Sequence, residues 1–298
     1  MRTWISAARL RTLPLSVSGI LVGTALAIQE GFFNAIIFAF ALCTTLGLQI
    51  LSNFANDYGD GIKGTDNDDR AGPMRALQSG IISDREMKKA MIITAVLTLI
   101  FALLLIYHAF GSDNFLHSLL FFVLGICAIA AAIKYTVGNS AYGYRGLGDV
   151  FVFVFFGLVS VVGSYFLYVH ALNFEVFLPA IAIGLLSTAV LNLNNMRDQT
   201  GDKKAGKNTL VVKLGAKRAK NYHYFLILGA LVALLLFAIF TKTSGWGLLY
   251  FLAFAPLLLH LKTIHRNKIP TQLDPELKKV ALSTFLLAVL FLITAIYF

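Results

Sequence analysis

Charge is what this sequence lacks. Only 13% of its 298 residues are Asp, Glu, Lys or Arg, about half the share in an ordinary soluble domain. Hydrophobic residues make up 58%, and the mean hydropathy is +0.76. This composition excludes a soluble globular protein. No polar block is large enough to fold separately, because apolar runs of bilayer length, about 20 residues each, recur from Leu13 to Phe298. One integral membrane domain over 1–298 is expected. Cysteine is scarce as well: Cys43 and Cys127 both lie in apolar stretches. They read as small core residues rather than a disulfide or a metal pair, which leaves the redox compartment open. Acidic residues number 15 against 25 Lys and Arg. The resulting charge of +10 would suggest nucleic acid in a soluble protein. No nucleic-acid motif accompanies it, and loop cations that orient a membrane protein account for the sign.

Apolar runs between polar breaks predict nine helices, at about 13–29, 34–58, 90–110, 115–137, 148–171, 175–198, 222–241, 246–264 and 279–297. Arg2, Arg9 and Arg11 ahead of the first run, with Ala25-Leu26-Ala27 near its end, have the look of a signal peptide. The run exceeds the usual length of such a segment, and keeping it makes the topology consistent. With the N-terminus on the cytoplasmic side, 24 of the 25 Lys and Arg residues fall on cytoplasmic segments and only Lys242 on the other face. The expected topology is therefore an odd number of spans with a periplasmic C-terminus. The long segments at about 60–89 and 199–221 read as polar cytoplasmic caps. Within them, Ser83 to Glu86 suggests a capping box, and Gly215 to Lys220 the start of a helix.

Two constellations carry chemistry. At the end of the second span, Gln49, Asn53, Asn56 and Asp60 fall on one helical face, with Asp57 at its border. Gly59, Gly61 and Gly64 are expected to break the helix and let Asp66 fold back toward the same point. At the end of the sixth span, Asn195, Asp198 and Asp202 share a face. Both spans run from outside to inside, so the two sets emerge on one side and can face each other. Polar residues continuing into an apolar helix are costly and mark an aqueous cavity with a purpose, whereas Asp68, Asp69 and Asp84 read as solvated loop. Carboxylates clustered without His or Cys favour hard cations, and Mg²⁺ held by a few carboxylates plus substrate phosphates is the usual arrangement. Cations nearby suit a diphosphate: Arg70 and Arg75, Lys134 and Arg145, then Lys203, Lys204 and Lys207. Lys134 carries extra weight because it lies in an apolar run. A cation-coupled transporter also uses intramembrane Asp and Asn, but it would place them near the bilayer midplane in inverted repeats.

At these residues the sequence resembles the UbiA-type intramembrane aromatic prenyltransferases. Asn56 and Asp60 match that family's first motif, Asp198 and Asp202 its second, and the further Asp stands at 66 where the commoner pattern would put it at 64, which is Gly64. This displacement is typical of the branch acting on 1,4-dihydroxy-2-naphthoate in menaquinone synthesis. The likeness to that branch also takes in Gly72-Pro73 with Arg75, Tyr135 to Gly138, Ala141 to Asp149, and Asn192 to Leu214 with Gly206 to Leu210. The resemblance implies nine helices in a ring around a lipid-accessible cavity, with Mg²⁺ and the head of a polyprenyl diphosphate between the acidic motifs and the tail in an apolar tunnel. It implies that the naphthoate ring takes up the prenyl group as CO₂ and diphosphate leave, giving a demethylmenaquinone, and that the protein sits in the bacterial inner membrane. The catalytic set it implies is Asn56, Asp60, Asp66, Asp198 and Asp202, with the four aspartates as metal ligands. Asn53, Asp57, Arg75, Lys134, Arg145, Asn195 and Lys207 are the implied substrate contacts. Lys134 or Arg145 would hold either the diphosphate or the acceptor carboxylate. Another phenolic acceptor such as 4-hydroxybenzoate is the alternative within the family. His108, His117 and His170 read as structural, and His223, His260 and His265 show no carboxylate partner in the sequence.

Overall fold

A computed structural model describes residues 2–65, 74–112 and 114–298. Asp66, Asp68, Asp69, Arg70, Gly72 and Pro73 lie outside the described residues. Among the described residues, nine helices are long and apolar enough to cross a membrane: α1 Thr3–Gln29, α2 Ala35–Ile62, α3 Asp84–Phe110, α4 Phe115–Lys134, α5 Gly148–Val169, α6 Phe174–Lys204, α7 Leu210–Phe240, α8 Gly245–Arg266 and α9 Pro270–Tyr297. No strand occurs among the described residues. The expected number of spans is present among the described residues, and the boundaries that differ from expectation include the helix ends that carry the acidic motifs.

The first span begins ten residues earlier than expected. Its N-terminal helix Arg2–Ala8 is followed by Arg9 in a left-handed conformation (φ 50), a tight turn over Leu10–Thr12, and the main helix Leu13–Gln29 with Pro14 in its first turn, where proline's fixed φ is compatible with helix. In α2 the expected break at Gly59 and Gly61 does not occur; the helix runs on to Ile62, and the left-handed residue is Gly64 (φ 67). These two glycines answer to packing instead. A Cβ on Gly59 would lie 2.6 Å from Thr136 Oγ1, and one on Gly61 2.4 Å from Leu77 Cδ2. In α6 the helix likewise continues to Lys204, and α7 begins at Leu210, where the Thr209 side chain accepts the Val212 N–H at 3.3 Å. The polar cap expected over 199–221 therefore shrinks to a short turn, and Gly215 (φ 77) kinks α7 rather than starting it. The Ser83–Glu86 capping box forms as expected: Glu86 N–H donates to Ser83 Oγ at 3.4 Å and Ser83 N–H to Glu86 Oε2 at 2.8 Å.

Each span packs against the next, except that α4 and α5 share little surface, and α9 returns to pack against α1. The helices α1 and α6 are the most enclosed, whereas α4 is the least, with Ala131 its one buried residue. Without water to drive helices together in lipid, close approach and internal hydrogen bonds hold them. Between α5 and α6, Gly157 and Gly184 meet so closely that a Cβ on Gly157 would lie 2.6 Å from Ala180 O. That contact falls in a π-helical stretch, Phe153–Val162, a rare conformation that often marks a functional wall.

Behind the cavity, His223 and His260 are fully buried and joined at 2.8 Å, and Asn192 Oδ1 stands 3.2 Å from the other His223 nitrogen. His260 also bonds Glu276, which Lys279 clamps at 2.6 Å. This carboxylate partner lies 16 residues further along the chain on another helix, where no spacing in the sequence marks it. The chain ties α6, α7, α8 and α9 together away from the cavity lining. His108 stacks on Phe40, while His117 and His170 pack around Phe110; all three are packing residues, as expected.

Candidate active site

A cavity of about 840 Å³ runs between the helices. Its apolar part is walled by side chains such as Ile20, Leu105, Leu124, Phe155 and Val159, and its polar part is lined by Asn56, Asp57, Asp60, Arg75, Asn194, Arg197, Lys207 and Asp274. One polar end with a long apolar body is the shape a lipid with a charged head requires.

Asp60 is the centre of the first constellation. It lies buried on α2 and accepts a hydrogen bond from Tyr144 Oη at 2.8 Å and one from Lys207 Nζ at 3.3 Å, with Arg75 at 3.9 Å. Tyr144 also meets Thr65 at 2.6 Å, and the ammonium groups of Lys63 and Lys207 lie over its ring at 4.0 and 5.2 Å. Burial, then the Asp60 carboxylate, pushes the Tyr144 phenol upward, so it remains an O–H donor to Asp60. Burial works against the charge of Lys207, but Asp60 and Asp202 outweigh it and raise its pKa. Lys207 thus lies within the fields of one carboxylate from each motif. Tyr135 feels Asp60 and Asp202 as well; burial first, then the nearby carboxylates, raises its phenol. Lys63, by contrast, is lowered by burial despite Asp60, and its ammonium donates to Thr136 O at 2.7 Å.

The neighbouring α2 residues position this centre. Asn53 Nδ2 donates to Ala8 O at 2.8 Å and to Thr12 Oγ1 at 3.1 Å, which fastens the segment carrying Arg9 and Arg11 to the cavity wall. The Asp57 carboxylate accepts the N–H groups of Ala76 (3.2 Å) and Leu77 (3.3 Å), fixing the segment that presents Arg75. Asn56 lines the cavity and meets Thr136 Oγ1 at 3.3 Å.

On α6, Asp198 is gripped by its own neighbour. Arg197 Nε donates to Asp198 Oδ1 at 2.8 Å and Nη2 to Oδ2 at 2.7 Å, while Nη1 reaches Asp274 Oδ1 at 2.5 Å and Nη2 also reaches Asn194 Oδ1 at 2.9 Å. Asp202 and Asn195 are buried beside this group. Asp198, Asp202 and Asn195 stand behind the cavity lining, and the residues of α6 that line it at this level are Asn194 and Arg197. Two expected site residues are elsewhere: Lys134 and Arg145 are exposed and do not line the cavity. The Arg145 carbonyl accepts from Lys213 Nζ at 2.6 Å. Lys134 ends α4 and Arg145 lies in the following connection, and a lone cation at either place carries no periodic signal to say which way it faces. Arg197, Asp274, Lys278, Arg9 and Arg11 also line the cavity; four of them are cations that the orientation rule already accounts for, so nothing in the sequence sets them apart. Tyr144 was within reach, since it lies inside the Tyr142–Asp149 stretch.

The donors fit a hard divalent ion that brings its own anion. All are oxygens, no group of three His, Cys, Asp or Glu side chains converges among the described residues, and each motif contributes its carboxylates separately. That is unlike the closed set of N and S ligands zinc demands and suits Mg²⁺, which binds through one or two carboxylates plus phosphate oxygens and water.

Comparison with known proteins agrees with this geometry. Residues 16–270 match the UbiA prenyltransferase family. The chain is 47% identical over 293 residues to the 1,4-dihydroxy-2-naphthoate octaprenyltransferase of Escherichia coli (strain K12), covering 98% of this chain and 94% of that protein. It is 43% identical over 294 residues to the protein of the same name from Haemophilus influenzae, again covering 98% and 94%. The structure of a UbiA homolog from Archaeoglobus fulgidus bound to GPP and Mg²⁺ superimposes with a TM-score of 0.65 at 17% identity, over 97% of this chain and 98% of that one. With Asp60 of the first motif at the polar end of an apolar cavity, and with the family match over most of its length, the chain belongs to the UbiA prenyltransferase family.

Proposed function

We propose that this protein transfers a polyprenyl group from polyprenyl diphosphate to 1,4-dihydroxy-2-naphthoate. The bond between the allylic carbon and the diphosphate oxygen breaks, and a ring carbon attacks the cation. The C–C bond to the carboxylate then breaks, CO₂ leaves, and its electron pair restores the aromatic ring. The product is the quinol form of a demethylmenaquinone, which needs no oxidant. Identity of 47% over 98% of the chain to a protein named for this reaction carries the reading.

In this reading the polar end holds the diphosphate. Asp60, Asp66, Asp198 and Asp202 with Asn56 would hold Mg²⁺, which would supply Lewis acidity to neutralise charge on the leaving group. Arg75 and Lys207 receive the departing diphosphate oxygens. Tyr144 keeps the Asp60 carboxylate oriented, and Asn53 and Asp57 hold the two segments whose cations close that end. The apolar body takes the prenyl chain and excludes water, which would otherwise capture an allylic cation. The nine helices form a ring around this cavity as a single domain, with the N-terminus and both motifs cytoplasmic, the C-terminus periplasmic, and the whole in a bacterial inner membrane. The test is product analysis by mass, with purified protein in detergent, Mg²⁺, a polyprenyl diphosphate, and the naphthoate set against 4-hydroxybenzoate. A prenylated, decarboxylated naphthoate is expected. Prenylated hydroxybenzoate alone would overturn the reading.

A further inference from the structure

An acceptor that carries a carboxylate needs a cation in the cavity, and the exposed Arg145 is not positioned to supply one. Arg197 is. It lines the cavity, is only 4% exposed, and holds its guanidinium plane fixed by four hydrogen bonds. The pair from Nε and Nη2 to the two oxygens of Asp198 is the parallel two-point grip that guanidinium makes with any carboxylate. The occupant of that grip is an aspartate of the second acidic motif. One guanidinium thus serves two carboxylates, Asp198 and Asp274, in the wall of a cavity built for anions.

With both oxygens of Asp198 accepting from Arg197, a cation that accompanies diphosphate competes with the guanidinium for the same carboxylate. A buried Arg deprived of its only counter-charge is strongly disfavoured, but here Asp274 on α9 and Asn194 remain in place. The pairing with Asp274 therefore lets Asp198 leave without stranding the charge. Departure of Asp198 would uncover Nε–H and one Nη2–H side by side.

We propose that Arg197 anchors the carboxylate of the aromatic acceptor and that Asp198 occupies this anchor until the prenyl diphosphate and its cation draw it away, so that the acceptor binds second. This rests on the function proposed above. Its consequence is economical: an acceptor-shaped anion is admitted only when the electrophile it will attack is already seated.

The experiment is equilibrium dialysis of labelled dihydroxynaphthoate against the detergent-solubilised full chain, with and without Mg²⁺ plus a non-reactive prenyl thiolodiphosphate. For the unaltered protein we expect affinity to rise at least about tenfold when the analogue is present, within the usual range of coupling between sites. Asp198→Ala should bind the naphthoate tightly without the analogue, a gain that an unfolded protein cannot show. Arg197→Lys should bind it weakly under both conditions while retaining the analogue. Equal naphthoate affinity with and without the analogue in the unaltered protein, or no gain in Asp198→Ala, would overturn the proposal. If prenylated naphthoate still forms in that case, only the order of binding and the anchor fall; if no such product forms, the functional reading itself falls.

Discussion

At the scale of single residues, the legible part of the site was the part with a period. Asn53, Asn56 and Asp60 recur along one face of an otherwise apolar helix, and the cost of polar groups there made them conspicuous. They do line or brace the cavity. Cations had no such signature. Lys207, buried against Asp60, and Arg145, exposed at the surface, look alike as loop charges in a sequence. Asp60→Asn and Asp198→Asn each remove one charge while keeping size. Each is expected to leave a protein that inserts normally but turns over at least about 100-fold more slowly with saturating Mg²⁺, measured by product formation. Arg145→Lys, whose side chain lies outside the cavity, is expected to change the apparent KM for the naphthoate less than about twofold, within the range of an ordinary surface change. A rise confined to that KM would return Arg145 to the acceptor site. Tyr144→Phe removes one hydrogen bond to Asp60, at 2.8 Å. Because outer partners of ligands are worth about 10–100-fold in metal affinity, the Mg²⁺ concentration for half-maximal rate should rise about tenfold at unchanged thermal stability.

At the scale of elements, nine apolar runs gave nine spans, but the helix ends on the side of the motifs were misread. Glycine was the cause. In sequence a glycine signals a break, a left-handed turn or a close approach with equal force. Of Gly59, Gly61 and Gly64, the first two, inside α2, are close approaches, and only Gly64, just past its end, adopts the left-handed conformation. The distinction matters chemically, because a helix continuing to Ile62 holds Asp60 rigidly within the last turn instead of on a loop, and α6 holds Asp202 the same way. Gly59→Val should force Thr136 away from α2, since its backbone carbon lies only 2.7 Å from the ideal Cβ position. It should also break the bond from Thr136 Oγ1 to Ala55 O at 2.8 Å. Overpacking of this kind costs about 1–3 kcal/mol. A lowered unfolding temperature in detergent together with weakened turnover is expected, and a substitution without effect on either would show that Gly59 is not a packing requirement.

At the scale of the whole molecule, orientation and site depend on each other. The two acidic motifs end α2 and α6, even-numbered helices that run in the same direction through the membrane, so both emerge on whichever side the N-terminus occupies. In the proposed topology nine spans, an odd number, put the C-terminus on the opposite side. The charge distribution supports a cytoplasmic N-terminus: 24 of 25 Lys and Arg residues then share the face of the motifs, and cytoplasmic loops are the ones that keep such charges. The diphosphate-binding end would therefore open toward the compartment where soluble, anionic precursors are made. The same cations that orient the chain then also serve the cavity, as Arg75, Arg197 and Lys207 do by lining it. The structure sharpens where this can be tested. A reporter joined after Lys213 would interrupt α7, whose helix begins at Leu210, whereas Gly206 lies in the turn between α6 and α7. Reporter enzymes fused after Ser79 and Gly206 are expected to be active only as cytoplasmic reporters, and those fused after Gly111, Asn173 and Phe298 only as periplasmic ones. A cytoplasmic signal at Phe298 would remove a span from the scheme. A periplasmic signal at Gly206 would place the acidic motifs outside, and the proposed cytoplasmic placement of the diphosphate-binding end would fall with it.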